Sequence, residues 1–263
     1  MDLQLKDKTA LVTGSTAGIG FAIAKALSSE GARTIINGRS SESVEKAVQQ
    51  LQSSATGEVL GFAGDLSRSE VATQLHGQYP DVDILINNLG IFEAKDFVDI
   101  PDEDWQRFFD VNVLSGVRLS RLYLPRMKEQ DWGRIMFISS ESAIQIPAEM
   151  VHYGMTKTAQ LAVSRGLAES LSGTGITVNA VLPGPTRSRG VQDFVDDLAQ
   201  KDGKSFEEFE QEFFTTMRPT SLIQRFAETD EVASMVCYLS SPKASATTGA
   251  AVRVDGGVVK SAF

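Results

Sequence analysis

Tyr153 and Lys157, four residues apart, are the pair in this chain best suited to moving a proton. On a helix that spacing puts both side chains on one face. An unperturbed phenol, with a pKa of about 10, is a poor base near neutrality. A neighbouring ammonium favours the phenolate and lowers that pKa by roughly 1–3, which makes proton transfer feasible at working pH. Ser140 lies thirteen residues before the tyrosine, just after the apolar run Ile135–Ser139. Strand ends in open α/β sheets face the ligand crevice, so a hydroxyl there would hold a substrate oxygen beside the phenol, polarising and orienting it rather than attacking it. Ser139 is the adjacent competitor for that role. Neither serine sits in a Gly-x-Ser-x-Gly turn, which argues against a hydrolase nucleophile.

A second constellation opens the chain. Thr13-Gly14-Ser15-Thr16-Ala17-Gly18-Ile19-Gly20 follows one apolar run and begins an amphipathic segment. Glycine there permits positive φ and lets backbone approach a pyrophosphate, while the helix N-terminus offers free amides and a positive partial charge to the anion. The strand-turn-helix context makes this a dinucleotide site, and the positive nicotinamide of an oxidised cofactor would further favour the Tyr153 phenolate. After the second apolar run the chain reads Asn37-Gly38-Arg39-Ser40, with no carboxylate for a ribose diol. Arg39 can pair bidentately with a ribose phosphate and Ser40 can add a hydrogen bond, so NADP(H) is expected over NAD(H), which stays possible. In Gly64-Asp65-Leu66, Asp65 is either an acceptor for the adenine amino group or a helix cap.

The elements that must carry these residues alternate. Strands are expected at Thr9–Thr13, Thr34–Asn37, Val59–Ala63, Ile84–Asn87, Ile135–Ser139, Ile176–Leu182 and Ala251–Val254. Helices are expected at Ile19–Ser29, Ser41–Gln52, Arg68–Gly77, Asp102–Glu129, Met150–Ser172 and Asp230–Leu239. The strands read as continuous apolar stretches without polar alternation, so helices should cover both sheet faces. The expected fold is α/β, a doubly wound, mostly parallel seven-stranded sheet in a single domain spanning 1–263. One region breaks the rhythm: from Pro183 to Arg225 no convincing strand appears, and Phe194, Phe206, Phe209, Phe213 and Phe214 fall at spacings that suit short amphipathic helices. We read 184–225 as a lid over the open end of the sheet. Its stretch from Gln192 to Phe214 holds eight acidic residues (Asp193, Asp196, Asp197, Asp202, Glu207, Glu208, Glu210 and Glu212) against Lys201 and Lys204.

Composition narrows the function classes. The 263 residues carry a formal charge of −9, unfavourable for a phosphate backbone, so no nucleic-acid partner is expected. Two histidines, one cysteine and no spaced ligand cluster argue against a metal site. Cys237, in the apolar stretch Val232–Leu239, is expected to be a buried thiol. The N-terminal residues lack a secretion signal's apolar core, and no apolar run has membrane-spanning length, so a cytoplasmic protein with no membrane partner is expected.

Taken together these motifs resemble the short-chain dehydrogenase/reductase family in its compact single-domain branch. The likeness runs from the glycine turn through Asn87-Asn88-Leu89-Gly90, Asn112, Ser140, Tyr153-Gly154-Met155-Thr156-Lys157 and Asn179 to Pro183-Gly184, ending at Val254-Asp255-Gly256-Gly257. It implies catalysis by Asn112, Ser140, Tyr153 and Lys157, with Ser140 preferred over Ser139 because the family keeps the thirteen-residue offset. Asn112 would organise a water that links Lys157 to solvent. It implies cofactor contacts from Gly14, Ser15, Thr16, Gly18, Ile19, Gly20, Arg39, Ser40, Asp65, Leu66, Asn88, Gly90, Tyr153, Lys157, Pro183, Gly184, Thr186 and Ser188. Two residues depart from the pattern: Leu89 replaces a small alanine, and Ser188 a commoner threonine. The resemblance also implies a homotetramer or homodimer.

Many relatives of this kind are 3-oxoacyl-carrier-protein reductases, which hold an acidic carrier with basic residues. This chain has Asp131 and Thr174 at those places and an acidic lid, so a like-charge penalty opposes that assignment. The expectation is therefore a small-molecule carbonyl or alcohol substrate in a mainly apolar pocket rimmed by Ser142, Ile144, Ile146, Pro147, Met150 and His152. Carrier-protein reduction is the nearer alternative, and a non-catalytic dinucleotide-binding sensor or scaffold is the alternative from another class.

Overall fold

The computed structural model describes residues 2–188 and 205–262. Nine strands are found among them: β1 Thr9–Val12, β2 Arg33–Gly38, β3 Val59–Ala63, β4 Ile84–Asn87, β5 Gly133–Ile138, β6 Ile176–Pro183, β7 Thr186–Arg187, β8 Ala227–Glu228 and β9 Ala251–Val254. Seven form one sheet in the order β3-β2-β1-β4-β5-β6-β9, every pair parallel. The register follows from Val12 facing both Ile36 and Ile86, and Met136 facing Asn179. The helices are α1 Gly18–Ser29, α2 Ser41–Gln52, α3 Ser69–Gln78, α4 Asp102–Phe109, α5 Ser115–Glu129, α6 Val151–Glu169, α7 Phe206–Thr216 and α8 Thr229–Leu239.

Alternate side chains of each central strand enter opposite cores. Ala10, Val12, Ile84, Ile86, Met136 and Ile138 pack with Ile23 and Leu27 of α1, Val44 and Leu51 of α2, and Val232 and Val236 of α8. Leu11, Leu85, Ile135, Phe137 and Val178 pack with Leu75 of α3, Leu119, Tyr123 and Met127 of α5, and Leu171. This two-sided burial explains why the strands show no polar alternation. Cys237 is buried on the α8 side, and burial pushes its thiol up to about 12.

Two expectations need correction. The helix expected at Asp102–Glu129 is interrupted by a π turn, Asp110–Leu114, between α4 and α5. Amphipathic periodicity runs through both halves, so the sequence pattern does not reveal a widened turn whose cause is tertiary. The region after Pro183 does contain a strand: the two-residue β7 pairs in parallel with β8, Thr186 opposite Ala227. Such a pair is too short for periodicity to signal. Of the region read as a lid, Asp193, Phe194, Asp196, Asp197, Lys201, Asp202 and Lys204 lie outside the described residues. The described part contains α7, started by a capping box between Ser205 and Glu208. Its Phe206, Phe209, Phe213 and Phe214 gather with Phe226 into a small aromatic core.

Candidate active site

The carboxyl ends of β1, β4, β5 and β6 converge beside the point where strand order reverses between β1 and β4, the place where open α/β sheets bind ligands. A cavity of about 660 Å³ opens there, with a smaller one of about 160 Å³ adjoining the glycine turn.

The turn after β1 is shaped for close approach. Gly14 and Gly18 both have φ +59, the left-handed region that disfavours any Cβ. A Cβ on Gly20 would fall 2.5 Å from the Gly14 carbonyl oxygen and equally near Asn88 Nδ2. Asn88 belongs to this framework, since its Nδ2 donates to the carbonyls of Thr13 at 2.9 Å and Gly14 at 3.0 Å. Gly18, Ile19, Gly20, Asn88 and Gly90 line the larger cavity, and Gly14, Thr16, Arg39, Asp65 and Leu66 line the smaller one. Arg39 is exposed and enters no ion pair with any described residue.

Two expected contacts are placed differently. Ser15 is fully buried, its hydroxyl donating to Val12 O at 2.6 Å and accepting from Asn37 N at 2.9 Å, so it supports the turn from behind. Ser40 caps α2 through Ser43 N and lines neither cavity. Asp65 lines the smaller cavity, as an adenine contact would require, and its Oδ1 accepts from Ser67 N at 3.0 Å and Ser67 Oγ at 2.7 Å within the turn before α3; it is not the helix cap offered as its other role, since the N-cap of α3 is Arg68. Asn37 emerges as an unexpected organiser. Its Oδ1 accepts from Gly14 N at 3.2 Å and its Nδ2 donates to Gly64 O at 3.0 Å, tying the turns after β1 and β3 together.

The residues expected to handle the proton, Ser140, Tyr153 and Lys157, meet in the larger cavity. Ser139, Ser140, Tyr153, Lys157, Pro183, Gly184, Thr186 and Ser188 all line it. The two serines separate by partner: Ser139 Oγ donates to Lys157 O at 2.9 Å and fastens β5 to α6, whereas Ser140 Oγ donates to Glu141 Oε2 at 2.5 Å and is hydrogen-bonded with Tyr153. Lys157 Nζ donates to Ile138 O at 2.9 Å and lies 5.5 Å from the Tyr153 ring centre.

Electrostatics here run against the simplest expectation. Burial foremost, then the Glu141 carboxylate, raises the Tyr153 phenol above its ordinary value, with the Ser140 hydrogen bond pulling the other way. Burial also pushes Lys157 down to about 8. In the protein alone the site therefore stores a neutral phenol, the proton-donating form.

Asn112 sits in the π turn and does not line the cavity. Its Nδ2 donates to Ile91 O at 3.0 Å and Thr156 Oγ1 at 2.9 Å, its Oδ1 accepts from Ile91 N at 2.8 Å, and its carbonyl accepts from Gln160 Nε2 at 2.6 Å. Those bonds lock the segment after β4 onto α6. His152 was expected at the pocket rim and is instead core. It is completely buried, its ring 4.1 Å from that of Phe108 and 6.0 Å from that of Trp105, and burial lowers its pKa. Ile144, Ile146 and Pro147 do not line the cavity either; Ser142 and Met150 do. The apolar wall is made instead by Phe92, Phe209, Phe213 and Met217, and a polar corner by Glu141, Glu149 and Arg218. Of these only Phe209 and Phe213 drew notice in the sequence, as aromatic residues of the lid.

The fold and this cavity define a dinucleotide-type α/β oxidoreductase, and the comparisons make the family specific. Residues 14–259 match the family model described as enoyl-(acyl carrier protein) reductase. The chain is 50% identical over 264 residues to the oxidoreductase YvaG of Bacillus subtilis (strain 168), covering 100% of both. It is 34% identical to a D-beta-hydroxybutyrate dehydrogenase of Cupriavidus necator, covering 97% of this chain and 99% of that one. In three dimensions it is similar to L-sorbose reductase from Gluconobacter frateurii, solved in complex with NADPH and L-sorbose, with a TM-score of 0.93, 29% identity and coverage of 99% and 100%. The chain belongs to the short-chain dehydrogenase/reductase family of oxidoreductases.

Proposed function

We propose that this protein is an NADP(H)-dependent oxidoreductase acting on the carbonyl or secondary alcohol of a small free substrate, with Tyr153 as its acid/base group. The observation that carries the reading is that one cavity joins Gly18–Gly20 of the glycine turn to Ser140, Tyr153, Lys157 and the Pro183–Ser188 segment. The fit to a dinucleotide rests on the cradle that a Cβ at Gly20 would fill. Gly14, Thr16, Asp65 and Leu66 would hold the adenosine end, with Arg39 on the ribose phosphate. Gly90, Pro183, Gly184, Thr186 and Ser188 would hold the nicotinamide end. The nicotinamide, when bound, supplies or accepts the hydride.

The residues then have separable tasks. In the reductive direction Tyr153 donates its proton to the carbonyl oxygen, and the raised pKa of the buried phenol keeps that proton available. Ser140 fixes the same oxygen within reach of the phenol. Lys157 completes the polar side of the pocket as an ammonium beside the Tyr153 ring, while Asn112 acts as a positioning residue through Ile91 and Thr156. Phe92, Phe209, Phe213 and Met217 receive the carbon skeleton and exclude water. Asp131 and Thr174 are exposed and present no cation for an acidic carrier, which favours a free substrate over a carrier-bound one.

The test is NADPH oxidation with a ketone panel. Turnover should fall at least about 100-fold on Tyr153→Phe while NADPH binding persists. Tight cofactor binding with no turnover of any ketone, and no effect of Tyr153→Phe, would instead identify a sensor or scaffold. Arg39→Ala should weaken NADPH about tenfold or more and leave NADH nearly unchanged; a preference for NADH that survives the substitution refutes the role of Arg39.

A further inference from the structure

We propose that Glu141 and Arg218 form a hydroxyl-recognition subsite, and that the substrate is an uncharged α-hydroxy ketone or the vicinal diol corresponding to it. This deepens the oxidoreductase reading and rests on it. Glu141 is an unusual residue to place beside a reacting carbonyl, because a buried carboxylate is costly unless it is well partnered. Its side chain is only 7% exposed yet lines the cavity. One oxygen, Oε2, takes the Ser140 hydroxyl at 2.5 Å. The other, Oε1, lies 3.6 Å from Arg218 Nε, an ion pair too long for a hydrogen bond.

Arg218 is itself 13% exposed, and its Nη1 donates to Met217 O at 2.9 Å while standing 3.7 Å from Glu149 Oε1. The guanidinium is thus anchored on Met217 O and stands between two carboxylates without a hydrogen bond to either. A hydroxyl is the substituent that donates to Glu141 and accepts from Arg218 together. A carboxylate cannot donate and meets Glu141 and Glu149; an ammonium cannot accept and meets Arg218; a methylene leaves the carboxylate unsatisfied. Glu141 Oε2 takes the hydroxyl of Ser140, the residue proposed to hold the reacting oxygen, and on that adjacency the recognised hydroxyl is assigned to the carbon beside the reacting one. The reaction balances as an ordinary reduction. NADPH gives hydride to the ketone carbon, Tyr153 gives a proton to its oxygen and recovers one from solvent, and the products are a vicinal diol and NADP⁺.

The experiment compares 3-hydroxybutan-2-one, butan-2-one and acetoacetate with NADPH, in the wild type and in Glu141→Ala and Arg218→Leu. The hydroxy ketone should exceed butan-2-one in kcat/KM by about tenfold or more, and that ratio should fall towards one in both variants. Taking the ratio within each variant cancels any loss of Ser140 positioning. Equal turnover of butan-2-one by the wild type overturns the proposal, as does a preference for acetoacetate that Arg218→Leu abolishes. A second measurement needs neither variant nor turnover: with NADP⁺ present, butane-2,3-diol should raise the melting temperature at about tenfold lower concentration than butan-2-ol. Equal concentrations overturn the subsite. If no ketone turns over and Tyr153→Phe changes nothing, the oxidoreductase reading fails, and the diol comparison still decides the subsite.

Discussion

Lys157 carries a stability cost beside the role proposed for it at Tyr153. Its pKa is pushed from 10.5 down to about 8 by burial, so between those values the unfolded chain binds more protons than the folded one. Stability therefore rises with pH across that window, and below about pH 8 the folded protein bears the full cost of a buried ammonium. The difference amounts to about 3 kcal/mol. Relative to Lys157→Met, the cofactor-free wild type should gain about that much between pH 7.5 and pH 10.5, read by urea denaturation at each pH. A flat difference would mean that the ammonium is solvated. Sequence spacing identifies the Tyr153–Lys157 pair but not the burial that raises the phenol in the cofactor-free protein. Spacing conveys the neighbour and not the burial, and burial is the larger effect on Tyr153.

At the scale of elements, the glycine turn and the π turn make opposite demands. Gly20→Ala places a Cβ 2.5 Å from the Gly14 carbonyl, which must shift the turn where β1 feeds α1. Cofactor affinity should fall at least about tenfold, while the seven-stranded sheet, and with it the far-ultraviolet circular dichroism, is preserved. Unchanged affinity would show that the cofactor does not approach this turn. Asn112→Ala removes the partners of Ile91 N, Ile91 O and Thr156 Oγ1 from a buried junction. It should cost about 2 kcal/mol or more in denaturation experiments and reduce turnover through misplacement of α6. The turn was legible because glycine spacing between a buried strand and a helix has few other uses. The π turn was not: Asn112, Ile91, Thr156 and Gln160 are brought together where the π turn packs against α6 and the segment after β4, and no local pattern records that meeting.

For the whole molecule, seven parallel strands with helices on both faces form one platform, and ligand binding should stabilise it as a unit. NADP⁺ at about 100 times its Kd should add about 2.7 kcal/mol to unfolding, visible as a rise in melting temperature that Arg39→Ala displaces to higher concentration. Apolar side chains stand exposed at Phe97, Val98 and Leu222, with 62%, 88% and 82% of their surface accessible. Surfaces of this kind suit association, and light scattering should return two or four chains per particle; a monomer would count against the homotetramer or homodimer that the family resemblance implies.

The sequence by itself determined the alternation of strands and helices, the glycine turn, the absence of a carboxylate after β2, and the Ser140, Tyr153 and Lys157 set. Each of these is written in local spacing or in continuous apolar runs, because backbone periodicity and glycine geometry are local constraints. Only the tertiary structure decided which neighbours those residues meet. It turned Ser15 inward, buried His152 between Phe108 and Trp105, and brought Arg218 from beyond α7 to Glu141. The chemistry proposed for Tyr153 was therefore readable from its own segment. What it acts on depends on Glu141 and Arg218, 77 residues apart in the chain and adjacent only once α7 packs over the sheet.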